Sequence, residues 1–447
     1  MAFPTLSVSG LTFTEIATTE VASANDTQMF ISSEGVMFLP KATGGLTSTD
    51  GVTWSNDDIE GPGQGGHKCA IDLGLDEILS IHRTTLDAED GLYEVVLKRS
   101  NNGWSTVIDD EGRLDVPLSV PLAGDAGDTE DGFLFHHGLV IARNGDLIAS
   151  LYGNYAGDEA LADGYPTKWG FRKYRTVTVK SQNQGETWGD PKTVAYDKML
   201  ARGTSTDFAV KTYASVPALT QEGFNESELV QAPNGDLLCF MRTGGRLSFN
   251  ESPVYPTPLY MSRSVDDGET WEYPVQVADR GTNPNAATLA SGVIVVVYTN
   301  PGTWLMFSDD NGYTWKGHTQ ISTASSYADI VAYDEDTVAI AYYDSDAVQV
   351  TKLRVVRTGQ PVAPHIFFVA NPHRIASGQS TTLTWNTINA NNGRLSGGTW
   401  GSGTAVGASS SGISTGALTQ DTTYTIRFES VSHPGTFREV QRTVYVT

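Results

Sequence analysis

The chain has 447 residues, of which 18% are charged, with 46 Gly, 9 Trp and a formal net charge of -23. That length is enough to bury a sizeable core and exceeds one ordinary domain, and the composition fits a turn-rich all-β protein better than a helical one. The acidic balance argues against nucleic acid and anionic membrane as partners, since both demand a basic surface, and no apolar run is long enough to cross a bilayer.

The opening, MAFPTLSVSG, has no basic segment followed by an apolar one, so a cleavable signal peptide is not expected. Six times along the chain an apolar strand, a turn and a second apolar strand recur. The copies are MFISSEGVMFLP, KCAIDLGLDEILSIH, GLVIARNGDLIASLY, ELVQAPNGDLLCFMR, ATLASGVIVVVYT and DIVAYDEDTVAIAYY. Their turn positions are Gly35, Asp76, Gly145, Gly235, Gly292 and Asp336. Gly supplies a positive φ without steric cost and Asp tolerates it, so all six are expected there. Strands this apolar on both faces are expected between neighbouring sheets.

A second motif follows most hairpins: TSTDGVTW, SQNQGETW, SVDDGETW and SDDNGYTW, with a shorter SNNGW at 100–104. It reads as a tight β-turn between a third and a fourth strand. Ser and Asp side chains bond the turn backbone, Gly takes the left-handed position, and Trp fills the gap beside the next sheet. One or two carboxylates per turn fall short of a calcium site. Six hairpins, each extended to four strands, predict a six-bladed β-propeller, with LTFTEIAT closing the last blade beside QVTKLRVV. Cys69 and Cys239 lie within apolar strands and are expected as buried free thiols; two cysteines make neither a disulfide framework nor a zinc site.

Near RTGQPVAP the character changes to short alternating strands with Ser/Gly/Thr turns, the length of one small immunoglobulin-like β-sandwich. The expected division is 1–357 propeller, 358–365 linker and 366–447 Ig-like sandwich. The last part reads as a spacer, a carbohydrate-binding module or an anchor, through which the chain attaches or forms a homo-oligomer.

Register places a pocket. Nine residues before the six turn positions stand Asp26, His67, His136, Glu226, Asn283 and Tyr327; seven after them stand Ala42, Arg83, Tyr152, Arg242, Thr299 and Tyr343. In a hairpin these positions share one end, so in a propeller both sets ring one mouth.

At these residues the sequence resembles the sialidase (neuraminidase) superfamily, through the repeated S-x-D-x-G-x-T-W (Asp-box, or BNR) turns over roughly 10–356. SSYADIVAY places Tyr327 where that family has its nucleophile, and NESELV followed by CFMR places Glu226 and Arg242 at its partner Glu and one pocket Arg. The resemblance implies a retaining exo-glycosidase acting on a terminal acidic sugar, without metal or cofactor. Glu226 takes the phenol proton as Tyr327 attacks, and Asp90 or Asp87, in HRTTLDAEDGL, serves as general acid. It further implies that Arg242, Arg83, Lys68, His67, Arg246 and His136 bind substrate. The family clamps the substrate carboxylate with three arginines, whereas here only Arg242 matches. His67 or Lys68 stands at the first position and Thr303-Trp304 at the third, which leaves open a ulosonic or uronic acid other than sialic acid. Such an activity is expected outside the cell or on a virion, without membrane insertion. Two alternatives are a non-catalytic glycan-binding protein of a phage tail or adhesin, and a polysaccharide lyase using His67, His136, His137 and Tyr152.

Overall fold

A computed structural model describes residues 3–24, 26–62, 64, 66–74, 77–87, 92–117, 133–155, 157–158, 173–196, 223–243, 258–359, 364–371 and 374–446. The chain divides into two compact units, Met1–Arg357 and Thr358–Thr447. Both are all-β. In the first, β1 (Leu11–Glu20) comes before everything else, and connections of varying length then join strands in sets of four. The first set is β2 (Phe30–Ile31), β3 (Met37–Pro40), β4 (Gly45–Ser48) and β5 (Ser55–Asp57). The second is β6 (His67–Gly74), β7 (Glu77–Asp87), β8 (Tyr93–Ser100) and β9 (Ile108–Leu114). The third is β10 (Leu134–Ile141), β11 (Leu147–Gly153), β12 (Arg175–Ser181) and β13 (Thr187–Ala195). The fourth is β14 (Asn225–Gln231), β15 (Leu237–Arg242), β16 (Leu259–Ser264) and β17 (Val275–Ala278). The fifth is β18 (Thr282–Thr288), β19 (Ile294–Thr299), β20 (Thr303–Ser308) and β21 (Lys316–Ser322). The last is β22 (Asp329–Ala332), β23 (Thr337–Asp344) and β24 (Ala347–Arg357), completed by β1, which runs antiparallel to β24 with Leu11 opposite Arg357.

Within each set the strands pair in sequence order. The second and third sets also join, through Thr187 and Trp188 beside Arg113 and Leu114 and through a single Leu134–Thr84 pairing, into one nearly closed eight-stranded sheet.

Side-chain alternation explains why the strands are apolar on both faces. In β15, Leu237, Cys239 and Met241 enter a core shared with the third set, while Leu238 and Phe240 enter one shared with the fifth. In β23, Val338 and Ile340 face the fifth set, whereas Ala339 and Ala341 face the first. A core also lies between the first and second sets (Phe38, Ile78) and between the second and third (Leu79, Leu151). Each set therefore packs on two neighbours, and the last packs on the first. The innermost strands β2, β6, β10, β14, β18 and β22 line one cavity of about 350 Å³.

The turns depart from expectation in two ways. Gly35, Gly145, Gly235 and Gly292 take a positive φ, but Asp336 does not; its buried carboxylate instead accepts Nε and Nη2 of Arg354 at 3.0 and 2.7 Å. Asp76 lies outside the described residues. The Trp-bearing turns do join third to fourth strands, yet they reach back to the preceding set, not on to the next. Trp271 Nε1 donates to Thr178 Oγ1 of β12 at 3.1 Å, and Trp315 packs edge-on to Phe240 of β15 at 5.2 Å. Successive left-handed residues, such as Asn311-Gly312, turn the backbone against that preceding set, so closely that a Cβ on Gly312 would lie 2.5 Å from Leu238.

The second unit has two sheets around one core. The three-stranded sheet orders β25 (His365–Asn371), β27 (Thr382–Ile388) and β30 (Ser410–Ser414). The five-stranded sheet orders β26 (Arg374–Ile375), β32 (Phe437–Val446), β31 (Thr422–Ser430), β28 (Ala390–Ser396) and β29 (Thr404–Val406). Phe368, Leu383 and Trp385 of the smaller sheet meet Leu395, Ile426 and Phe428 of the larger. Cys69 and Cys239 are buried free thiols. Among the described residues, no helix is long and apolar enough to cross a membrane.

Candidate active site

Four of the innermost strands, β6, β10, β14 and β18, share a backbone irregularity at one end. In β14, Asn225 faces Arg242, and the ladder resumes at Glu228–Phe240 one step out of register. In β18, Thr282 faces Thr299, and the ladder resumes at Asn285–Val297 with the same slip. β6 and β10 also shift, between His67 and Cys69 and between Phe135 and Leu139. Bulges of this kind re-aim a side chain. Glu226 and Asn283 occupy equivalent places in them with φ of 37° and 44°. A non-glycine residue in this region stores on the order of 1–3 kcal/mol and persists only where its surroundings hold it.

The bulge in β14 brings Glu226 to Tyr327, which lies just before β22. Tyr327 Oη donates to Glu226 Oε1 at 3.3 Å. Arg242, the last residue of β15 and buried, places Nη1 2.5 Å from the same oxygen. Glu226 Oε2 is buried and has no hydrogen-bond partner among the described residues. The negative charge of Glu226 and, second, burial push the Tyr327 phenol up to about 12, against the opposing pull of Arg242 and Arg83. Residue Tyr327 as a whole is 38% exposed, so a ligand can reach it. A phenol hydrogen-bonded to a carboxylate can give up its proton as its oxygen attacks an electrophile.

The remaining expected site residues separate into those near this trio and those elsewhere. The charges of Arg83 and Arg242 act on the Tyr152 hydroxyl and on His136. His136 is buried, lies 4.3 Å from the tilted ring of His137, and meets Tyr152 edge-on at 6.1 Å. Burial, and then the charges of Lys68, Arg83 and Arg242, hold its imidazole well below the ordinary histidine value, so it is neutral. His67 packs instead against His82 at 5.3 Å, and burial lowers it to about 4. Lys68 turns into the central cavity, where Nζ donates to Gln28 Oε1 at 3.1 Å. Asp87 ends β7 opposite Tyr93, but its side chain, Asp90 and Arg246 lie outside the described residues. Among the described residues, no three His, Cys, Asp or Glu side chains are grouped to hold a metal ion.

Four residues near the site, Glu228, Asp329, Thr27 and Asn285, escaped the sequence reading, and a fifth, Asn283, was placed at the mouth without a role. Glu228 and Asp329 are buried and line the cavity, and burial raises both carboxyls, Asp329 to about 7. Thr27, Asn283 and Asn285 are buried and hydrogen-bonded to the backbone beside Tyr327. The available signal was polar residues in otherwise apolar innermost strands. It had marked Asn283 as a register position but gave it no role.

No protein-family model matches the chain. Two curated sialidases of Vibrio cholerae serotype O1, one from the classical Ogawa strain O395 and one from the El Tor Inaba strain N16961, are each 28% identical to it over 158 residues. Over that stretch the chain is similar to sialidases. The match covers 29% of this chain and 20% of each relative's length. A protein of unknown function from Dyadobacter fermentans superposes with a TM-score of 0.51 at 14% identity, over 78% of this chain and 100% of that one. This likeness concerns the fold. The Hadza microbial sialidase Hz136 gives a TM-score of 0.46 at 14% identity, over 77% of this chain and 67% of its own.

Proposed function

We propose that the first unit is a six-bladed β-propeller carrying a sialidase-like retaining exo-glycosidase site, and that the second is an Ig-like sandwich joined by a linker near 358–365. The observation that carries the activity is the Tyr327–Glu226–Arg242 arrangement, in which a phenol and a guanidinium from different sheets meet on one carboxylate oxygen. Tyr327 Oη bonds to the anomeric carbon as its proton passes to Glu226. The glycosidic bond breaks, and the leaving oxygen takes a proton from Asp90 or Asp87. Water then attacks the anomeric carbon and gives its proton to the same aspartate, the bond from that carbon to Tyr327 Oη breaks, and Glu226 returns its proton to the departing phenolate. An uncharged phenol suits an anionic sugar, which a carboxylate nucleophile would repel, and Arg242 with Arg83 supplies positive charge for the acidic substituent. The substrate is a terminal acidic sugar of a glycan, sialic acid or a related ulosonic or uronic acid.

The test is turnover of aryl sialosides and aryl uronides. Tyr327→Phe and Glu226→Gln are expected to lower kcat by about 10²–10⁴; undiminished turnover in both removes the mechanism, and binding to a glycan array without cleavage by the wild type makes the site a lectin.

The neutral imidazole of His136 beside the Tyr152 ring favours a second reading, β-elimination from a uronate polymer with His136 as base and Tyr152 as acid. It forms an unsaturated sugar, and flat ultraviolet absorbance on uronate polymers rejects it.

A further inference from the structure

We propose that Thr27, Asn283 and Asn285 are positioning residues that fix Tyr327 for attack; this rests on reading Tyr327 as the nucleophile. The first laddered residue of β22 is Asp329, paired with Ala341, so Tyr327 and Ala328 precede the sheet and receive no ladder bonds from β23. The Tyr327 side chain is also among the more exposed large apolar groups, so packing alone does not hold it. What holds the segment is capture of two successive carbonyls from opposite neighbours. Thr27 Oγ1, just before β2, donates to the Tyr327 carbonyl at 2.9 Å. From β18 on the other side, Asn285 Nδ2 and Asn283 Nδ2 donate to the Ala328 carbonyl at 2.8 and 3.1 Å. The next residue adds a third tie, because Asp329 Oδ2 accepts the Met29 amide at 2.8 Å.

All three donors are at most 2% exposed, and a buried polar side chain kept there must be matched by a partner. Their partners are the carbonyl of the reactive residue and that of the residue after it. Asn283 reaches its carbonyl from a left-handed backbone and leaves Oδ1 buried with no partner among the described residues. This is a strained, incompletely satisfied geometry that serves contact with Ala328 better than it serves β18. The same bulge one sheet earlier aims Glu226 at the Tyr327 hydroxyl. Equivalent places in adjacent sheets thus bear on the nucleophile from two sides, one at its phenol and one at the carbonyl of the next residue. Misplacing a reacting atom by an ångström costs about 10²-fold in rate, so loosening one of these ties is expected to act on kcat.

The experiment uses the full chain, with Thr27→Val, Asn285→Leu and, as the rescue, Thr27→Ser. On an aryl sialoside or aryl uronide, Thr27→Val and Asn285→Leu are expected to lower kcat about tenfold with KM within about twofold, and Thr27→Ser to restore most of it. The second readout is the ¹⁹F spectrum of protein labelled with 3-fluorotyrosine, with the Tyr327 signal assigned by its loss in Tyr327→Phe. That signal is expected to shift or broaden in the two disrupting variants and to return in Thr27→Ser. Thr27→Val, which changes volume little, decides the matter should Asn285→Leu not fold. In a folded variant, an unmoved kcat or an unmoved Tyr327 signal overturns the proposal. Should Tyr327→Phe retain full turnover, the nucleophile reading fails by itself, and the fluorine signal still decides whether these residues position Tyr327.

Discussion

Glu226 has two neighbours with opposite demands. Its charge raises the Tyr327 phenol, while Arg242 neutralises part of that charge on the same oxygen. Glu226→Gln is therefore expected to lower the Tyr327 titration below about 12, read from the fluorotyrosine signal, even as it removes the base and slows turnover. Arg242→Met leaves a nearly buried carboxylate unpaired and is expected to destabilise the first unit by about 3 kcal/mol in denaturant unfolding. The double variant with Glu226→Gln is expected to recover most of that loss, since removing both partners is far milder than removing one. Glu226, Tyr327 and Arg242 were legible because their offsets from the turns survive any loop length between sheets. Thr27 and Asn285 were not, because they act through backbone carbonyls, which leave no mark on a side-chain pattern.

Among the elements, the turns and the bulges carry the local specificity. Both Gly312 and Gly145 have a positive φ, but only at Gly312 would a Cβ collide with the preceding sheet. Gly145→Ala is expected to cost about 1 kcal/mol for the backbone conformation alone, and Gly312→Ala about 2–3 kcal/mol; chemical denaturation distinguishes them. The hairpin turns were legible from Gly and Asp placement, although Asp336 serves charge pairing with Arg354 and not backbone freedom. The direction in which the Trp-bearing turns pack was not legible. A repeat pattern gives each unit's face but not which neighbour receives it.

For the molecule as a whole, the central cavity makes stability depend on pH. Burial raises Asp329 from 3.8 to about 7, with Asp26 raising it further and Lys68 opposing, and burial beside Asp329 raises Glu228 as well. Between about pH 4 and 7 the unfolded chain has already released the Asp329 proton that the folded state retains, so stability falls as pH rises through that window. The Asp329 difference corresponds to about 4 kcal/mol. Glu228→Gln is expected to raise the melting temperature at pH 8 and leave it unchanged at pH 4, measured by calorimetry. The sequence showed the recurring hairpins and the return of LTFTEIAT to the last strand, but not that Glu228 and Asp329 face the cavity, because burial there is a property of the assembled sheets.

That closure has a kinetic consequence. β1 and β24 come from opposite ends of the first unit, so their pairing has very high contact order and forms late in folding. Every other sheet of the first unit pairs strands close in sequence, whereas the last sheet depends on the first strand of the chain returning to complete it. Interactions formed after the transition state govern the rate of unfolding more than the rate of folding. Loosening the seam between Leu11–Glu20 and Ala347–Arg357 is therefore expected to shorten the protein's lifetime against proteolysis, and a circular permutant opened elsewhere is expected to lengthen it.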